Sequence, residues 1–568
     1  MKTQFQVLYR EFLFRIVDLD LLSTDAQGDA NTLLGQFAAL LVFFSFWLSL
    51  SALAFIGSKM PRPVQLIGTL SMEHFLIATT MLAVGLFAVL SWDSTFPDRR
   101  DVLVLAPLPV RARTLFLAKV AASATAFSLA VGVLNTFTGL LWPFALVPES
   151  GDIAGFVRSF AAYWITMFAS GLFIYCSVLC VQGLSAQLLP RRVFLRVSAF
   201  LQIAALCLFV SVYFLQLPFA SLSELADPRY QRVLSWLPSY CFLGLLQQLN
   251  GTMLAVLDPL ARRAWAGLAI AVCGAAGAFL LSWFRTLRKI VEEPDIVSGS
   301  GAAWLEKRRL PRFGNPVETA VVHFSIRTLL RSRRHRLILA FYLGIGFALV
   351  IFFVRTPEAQ KQILAASGSL LGSQVNVPLL ASTVVMLGFW MLGTRVVFAM
   401  PLDLRANWIF RVMPVRGAAE CLRATRRALF VLGLLPLWTG SALLLLSIWP
   451  WPAAVGHLVV LALIGMILAD ISLRNFQKIP FTCSYLPGKS NVHVTFWVCI
   501  LLIVTITGKI LELEQRALGN PRGYCLLLGI LLVAAILARW RNAHDEALEF
   551  EDTPTWHLTT LGNISHAD

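Results

Sequence analysis

Long apolar stretches separated by short polar ones run the length of this chain, and that alternation leaves few choices of fold. A helix needs about 20 apolar residues to cross the hydrocarbon core of a bilayer. Stretches of this kind cover 34–57, 74–92, 115–145, 160–186, 195–217, 264–284, 337–354, 378–398, 428–449, 455–473, 492–509 and 523–540. In lipid every backbone N–H and C=O must find its partner within the protein, so spans of this length are read as helices. The reading is an all-α, polytopic integral membrane protein with about 12 transmembrane helices. Composition agrees: 58% of residues are hydrophobic and 14% are charged, against roughly 25% charged in soluble domains. The third and fourth stretches exceed one crossing, which predicts tilt, a kink or extension past the bilayer.

Equal numbers of spans flank a polar centre, so the chain reads as two six-helix repeats. The first half covers 1–290, a Gly/Ser-punctuated cytoplasmic linker 291–320, the second half 321–540 and a cytoplasmic tail 541–568. A cytoplasmic N-terminus puts most of the 47 Lys and Arg on the inner side, and both termini inside. The net charge of +16 then follows from topology. It calls for no nucleic acid, and anionic membrane lipid is the natural counter-charge. The polar first 30 residues contain no apolar core of a cleavable signal. Phe5, Leu8, Phe12, Leu13, Ile16 and Leu21 instead recur among charges at helical spacing, as expected of a helix lying in the inner interface. Val322, Phe324, Ile326, Leu329 and Leu330 repeat the pattern among Arg327, Arg331, Arg333 and Arg334. Between the fifth and sixth spans, 235–251 is read as a half-inserted helix at the outer face.

The chemistry of a soluble enzyme is missing. Gly488-Lys489-Ser490 invites a phosphate loop, but Cys483 stands where that loop needs its first glycine. There is no H-E-x-x-H or G-x-S-x-G, and no convincing metal constellation. The nine Cys form no C-x-x-C pair, and most of the eight His fall at span ends or in the tail. The chain is therefore expected to be no enzyme by itself and to hold no cofactor. Acidic residues and lysines are nearly absent from the apolar cores. Asp470 is the exception and the candidate intramembrane polar site, and Lys119 lies near enough to an end to snorkel. Ion-coupled carriers generally bind their ion at such groups, so the energy source is expected elsewhere.

One pattern occurs twice. Residues 97–111 read P-D-R-R-D-V-L-V-L-A-P-L-P-V-R, and 402–416 read L-D-L-R-A-N-W-I-F-R-V-M-P-V-R. At one constant offset Asp98 falls on Asp403, Arg100 on Arg405 and Pro109-Val110-Arg111 on Pro414-Val415-Arg416. Asp101 meets Ala406, so the two loops are not equivalent. Each would be an intracellular loop between the second and third spans of its half.

Six spans, an interfacial entry helix, this loop and a following span with Lys119 resemble the permease subunit of type 2 ABC exporters. The segment before the sixth span is similar to that family's external re-entrant hairpin. The resemblance implies that the loop is a coupling helix docking onto a separate ATPase subunit, which would bind ATP and Mg in trans. Asp98, Arg99, Arg100 and Asp101 would make the contacts, with Pro107 and Pro109 ending the helix; Asp403, Arg405 and Pro414 match them. It implies the bacterial inner membrane as location. The second half departs from the family in having a short outer loop, about 510–522, before its last span. Two other classes remain. One is a major-facilitator-like secondary carrier, although Asp98-Arg99-Arg100 lacks the glycines of that family's loop. The other is a non-transporting membrane scaffold.

Overall fold

A computed structural model of the chain describes residues 2–17, 39, 41–43, 45–50, 62–95, 110–146, 153–215, 234–252, 255–292, 311–354, 377–400, 418–474, 479–482, 513–514 and 521–542. Among them the regular structure is helical and no strand occurs. Eight helices among the described residues are long and apolar enough to cross a membrane, or nine if one sharply bent pair is a single span. Of the other expected spans, 492–509 lies outside the described residues. Those over 34–57 and 195–217 contain shorter apolar helices, Leu41–Leu50 and Phe200–Leu215. The chain divides into two compact units, Met1–Ser298 and Gly299–Asp568.

In the first unit, α1 (Lys2–Val17) turns Leu8, Phe12 and Ile16 to one face, where all three are buried. That i, i+4, i+8 stripe packs on α3 (Ala112–Leu134), and Gln6, Arg10, Glu11 and Arg15 stay exposed. The long apolar helices α2 (Arg62–Leu90), α5 (Ile153–Leu188) and α8 (Asp258–Glu292) form the centre. At 36 residues, α5 is about 54 Å long and extends well past one hydrocarbon core. The stretch expected as one span over 115–145 is broken: α3 ends at Leu134, and α4 (Thr136–Leu146) begins after Asn135. The Asn135 side chain bonds the Val131 carbonyl at 3.0 Å, competing locally with the helical ladder.

The segment 235–251 folds as α7 (Pro238–Asn250), thirteen residues long and too short to cross. It is buried against α8, α5 and α2, while α6 (Arg191–Leu215) lies against α2 on another side. Two glycines set the closest approaches. A Cβ on Gly244 would meet Leu257 O at 2.8 Å and Ala261 N at 2.9 Å, and one on Gly183 would meet the Ala278 backbone at 3.0 Å.

The second unit opens with α9 (Pro316–Arg331), which starts at a capping box: the Glu318 carboxylate accepts from the Asn315 N–H at 3.0 Å. It buries Val322, Ser325, Thr328 and Leu329 and exposes Arg327 and Arg331. It meets α10 (Arg333–Val354) at 84°. Beyond it, α11 (Val377–Ala399) packs on α10 and on α14 (Trp451–Ser472). A continuous helical rod runs through α12 (Ala418–Leu429), a π-helical turn at Phe430–Leu434 and α13 (Leu435–Ile448). Trp390 of α11 donates its indole N–H to Leu432 O in that turn at 2.8 Å. The last helix, α15 (Pro521–Asn542), lies on α14.

Candidate functional site

The two Pro-ended loops, with Asp98, Arg99, Arg100, Asp101, Pro107, Pro109, Asp403, Arg405 and Pro414, lie outside the described residues. The helices they lead into are described. Directly after the first loop, Arg111 precedes α3, and α1 lies along that helix. Tyr9 of α1 donates to Thr125 Oγ1 of α3 at 3.0 Å. Lys119 of α3 is 2% exposed and holds its ammonium 4.9 Å from the centre of the Phe12 ring. Lys119 therefore does not snorkel to water. The apolar stripe of α1 covers it, and the ring face supplies part of the attraction lost with solvent.

After the second loop the arrangement has a counterpart. α12 begins at Ala418, and α9 packs along it. Arg427 of α12 reaches Glu318 of α9 at 2.7 Å, so that carboxylate serves both the cap and the contact between helices. On the other side of α12, Arg426 pairs with Asp470 near the C-terminal end of α14; the carboxylate is buried and the guanidinium partly so. Asp470 is thus half of a clamp between α12 and α14.

Asp470 is not the exception it was expected to be: Glu73 and Glu514 are also buried, at 1% and 0% exposure. Of the described histidines, His74, His335 and His457 are buried as well. In the first unit, Gln247 of α7 donates to Glu73 Oε2 of α2 at 2.5 Å, and Thr252 donates to Gln247 Oε1 at 2.5 Å. Next to Glu73, His74 Nε2 meets Ser239 Oγ at 3.0 Å, and its ring stacks on Tyr240 at 3.9 Å. At the other end of α7, Ser159 donates to Asn250 Oδ1 at 2.7 Å and Arg158 to Leu249 O at 2.8 Å. The short helix is held at both ends by side chains of α2 and α5.

Also buried, the Tyr163 hydroxyl lies 3.0 Å from Asn135 Oδ1 and 2.9 Å from Thr138 Oγ1, and Thr80 meets the same Asn135. In the second unit, His457 of α14 stands between Thr383 of α11, at 2.7 Å from Nε2, and Glu514, at 2.6 Å from Nδ1. Among the described residues no cluster of His, Cys, Asp and Glu could hold a metal ion.

Glu73 and His74 escape a sequence reading that starts the second span at His74, because a charged pair at the head of an apolar run looks interfacial. The clue was length. α2 begins at Arg62, so the pair sits three helical turns inside it. No family model, curated protein or solved structure matches the chain.

Proposed function

We propose that this chain is the membrane-spanning component of an ATP-driven exporter of the type 2 ABC class, with a separate ATPase subunit docking on the two Pro-ended loops. The observation that carries this reading is what each loop leads into. In either unit the loop continues into a helix, α3 or α12, against which an amphipathic helix is packed. A push on the loop would be delivered to a helix already braced at the interface, which suits a lever better than a free hinge. The second support is α7, a short buried helix between the fifth and sixth expected spans, where the family has its re-entrant segment.

On this reading ATP and Mg belong to the partner, the chain lies in a bacterial cytoplasmic membrane as two six-helix repeats, and both termini are cytoplasmic. Asp98, Arg99, Arg100, Asp101, Asp403 and Arg405 make the docking contacts. The experiment is purification of the tagged protein in mild detergent, with identification of its companions and an ATP hydrolysis assay. A P-loop ATPase that co-purifies, and is lost when Asp98→Ala and Arg100→Ala are combined, supports the proposal. A chain that purifies alone without hydrolysis defeats it.

A second reading, a secondary carrier coupled to an ion, gains from the burial of Glu73 and Lys119, since intramembrane ionisable groups are the usual coupling sites. Flux in proteoliposomes driven by an ion gradient, with no ATPase present, would favour it.

A further inference from the structure

In the second unit Thr383, His457 and Glu514 form a hydrogen-bonded chain that the export reading leaves without a task. They are 6%, 0% and 0% exposed. The links are 2.7 Å from Thr383 Oγ1 to His457 Nε2 and 2.6 Å from His457 Nδ1 to Glu514 Oε1. Thr383 Oγ1 has a further neighbour, the Leu380 carbonyl of its own helix, at 2.9 Å. Glu514 Oε2 is buried with no hydrogen-bond partner.

A threonine hydroxyl has one hydrogen, and its two near acceptors here are His457 Nε2 and Leu380 O, with Leu379 O farther off at 3.4 Å. If it donates to Leu380 O, then Oγ1 can only accept from His457, and Nε2 carries a hydrogen. Nδ1 and Glu514 then share one more proton across the 2.6 Å link, either as imidazolium with carboxylate or as imidazole with carboxylic acid. The pair is neutral and holds two protons. If the hydroxyl turns to His457, Nε2 becomes the acceptor, Nδ1–H donates to a carboxylate, and the pair holds one proton and a net negative charge. The two hydroxyl positions therefore differ by one proton. A buried lone charge is expensive, and the bare Oε2 makes it more so, which places the neutral, two-proton state as the resting one.

We propose that Thr383, His457 and Glu514 form a proton-binding site in the second unit, in which the Thr383 hydroxyl changes acceptor as one proton enters or leaves. The proton leaves from Nε2, while the one on the Glu514 side stays as Nδ1–H. Among the described residues no group near the site competes for this role. α14 packs on α11, α12, the π turn, α13 and α15. On α11 the charged residue is Arg395, whose Nε donates to Ser472 O at the far end. On α12, Arg426 is engaged by Asp470, which lies roughly 20 Å further along α14. The π turn and α13 carry no titratable side chain. On α15, Tyr524 donates its hydroxyl to Gly456 O at 2.8 Å, next to His457, and Arg522, Cys525 and Arg539 complete that helix's described set. The site is independent of whatever drives export, and its test needs no ATPase.

The test is nitrogen-15 NMR of the full-length protein in nanodiscs with labelled histidine, which reads the protonation of each ring nitrogen. The His457 signal is the one lost in His457→Gln or, if that variant does not fold, the one displaced in Thr383→Val. Across the pH range in which the protein stays folded, Nε2 should lose its hydrogen and Nδ1 should carry the one that remains, releasing one proton per chain. Thr383→Val and Glu514→Gln should move the midpoint by roughly one unit or more, and Thr383→Ser should keep it. A ring that holds one state across the range, or titrates identically in Thr383→Val, overturns the proposal.

Discussion

Gln247 on the short helix α7 reaches Glu73 on α2 with a 2.5 Å hydrogen bond, and both side chains are buried. This contact and the His74–Ser239 bond tie a thirteen-residue helix to a span it does not follow in sequence. A helix that short has little stability of its own; its place comes from such ties and from the fit of Gly244 against α8.

Glu73→Ala should lower the unfolding temperature in detergent, because it strands the Gln247 amide in an apolar interior, at a cost of about 1–3 kcal/mol. Glu73→Gln keeps an acceptor in nearly the same volume and should lose less. Thermal unfolding of the two variants side by side checks the order. Equal losses would mean that Gln247 finds another acceptor.

Cys241 reports on the same helix. Burial pushes its thiol above the ordinary value, and the nearby Arg263 only partly offsets this. The docked form therefore binds the thiol proton more tightly than an exposed chain does. The associated stability is whole below about pH 8.5 and fades as pH rises through the higher value. Maleimide should label Cys241 slowly in the wild type and faster in Glu73→Ala, with the gap widening in alkaline solution. Mass spectrometry of the peptide carrying Cys241 gives both rates.

Gly183 allows α5 and α8 to approach until a Cβ would press on the Ala278 backbone at 3.0 Å. Backbone cannot rotate aside as a side chain can. Gly183→Val should cost at least the 1–3 kcal/mol typical of overpacking, whereas Gly277→Ala, where nothing lies within 4 Å, should be nearly silent. Unfolding temperatures of the pair separate a packing effect from general glycine loss.

Arg426, partly buried, and Asp470, buried, make an ion pair between α12 and α14. Asp470→Leu alone leaves a partly buried guanidinium unpaired and should destabilise by up to about 3 kcal/mol. Combining it with Arg426→Met should recover much of that loss, since neither charge then remains. A double-mutant cycle on the unfolding transition gives the coupling.

Apolar run length was enough to read the helical, membrane-type character and most of the helices, because the bilayer imposes one rule on every span. The amphipathic faces of α1 and α9 were equally legible, from apolar residues at intervals of three and four. What escaped was polar and long-range. Lys119 looks like an end residue until α1 is laid over it, and Phe12 lies more than a hundred positions away. His457 and Glu514 are scattered single residues in sequence, and only the packing of α14 brings them together. Asn135 hides its break inside an unremarkable apolar stretch, because the partners that favour it, Tyr163 and Thr80, sit on other helices.

The π turn at Phe430–Leu434 has a consequence for both ends of its rod. It takes in one residue more than an α-helix of the same length, and so offsets the side chains before it from those after it by about 100°. Thr425 and Arg426, which face inward, and Leu443 and Leu446, which are exposed, therefore answer to two separate angular references. The rod works as a mechanical coupling with a slip joint: a residue gained or lost on one side can be absorbed there, leaving the lipid-facing half in phase with its surroundings.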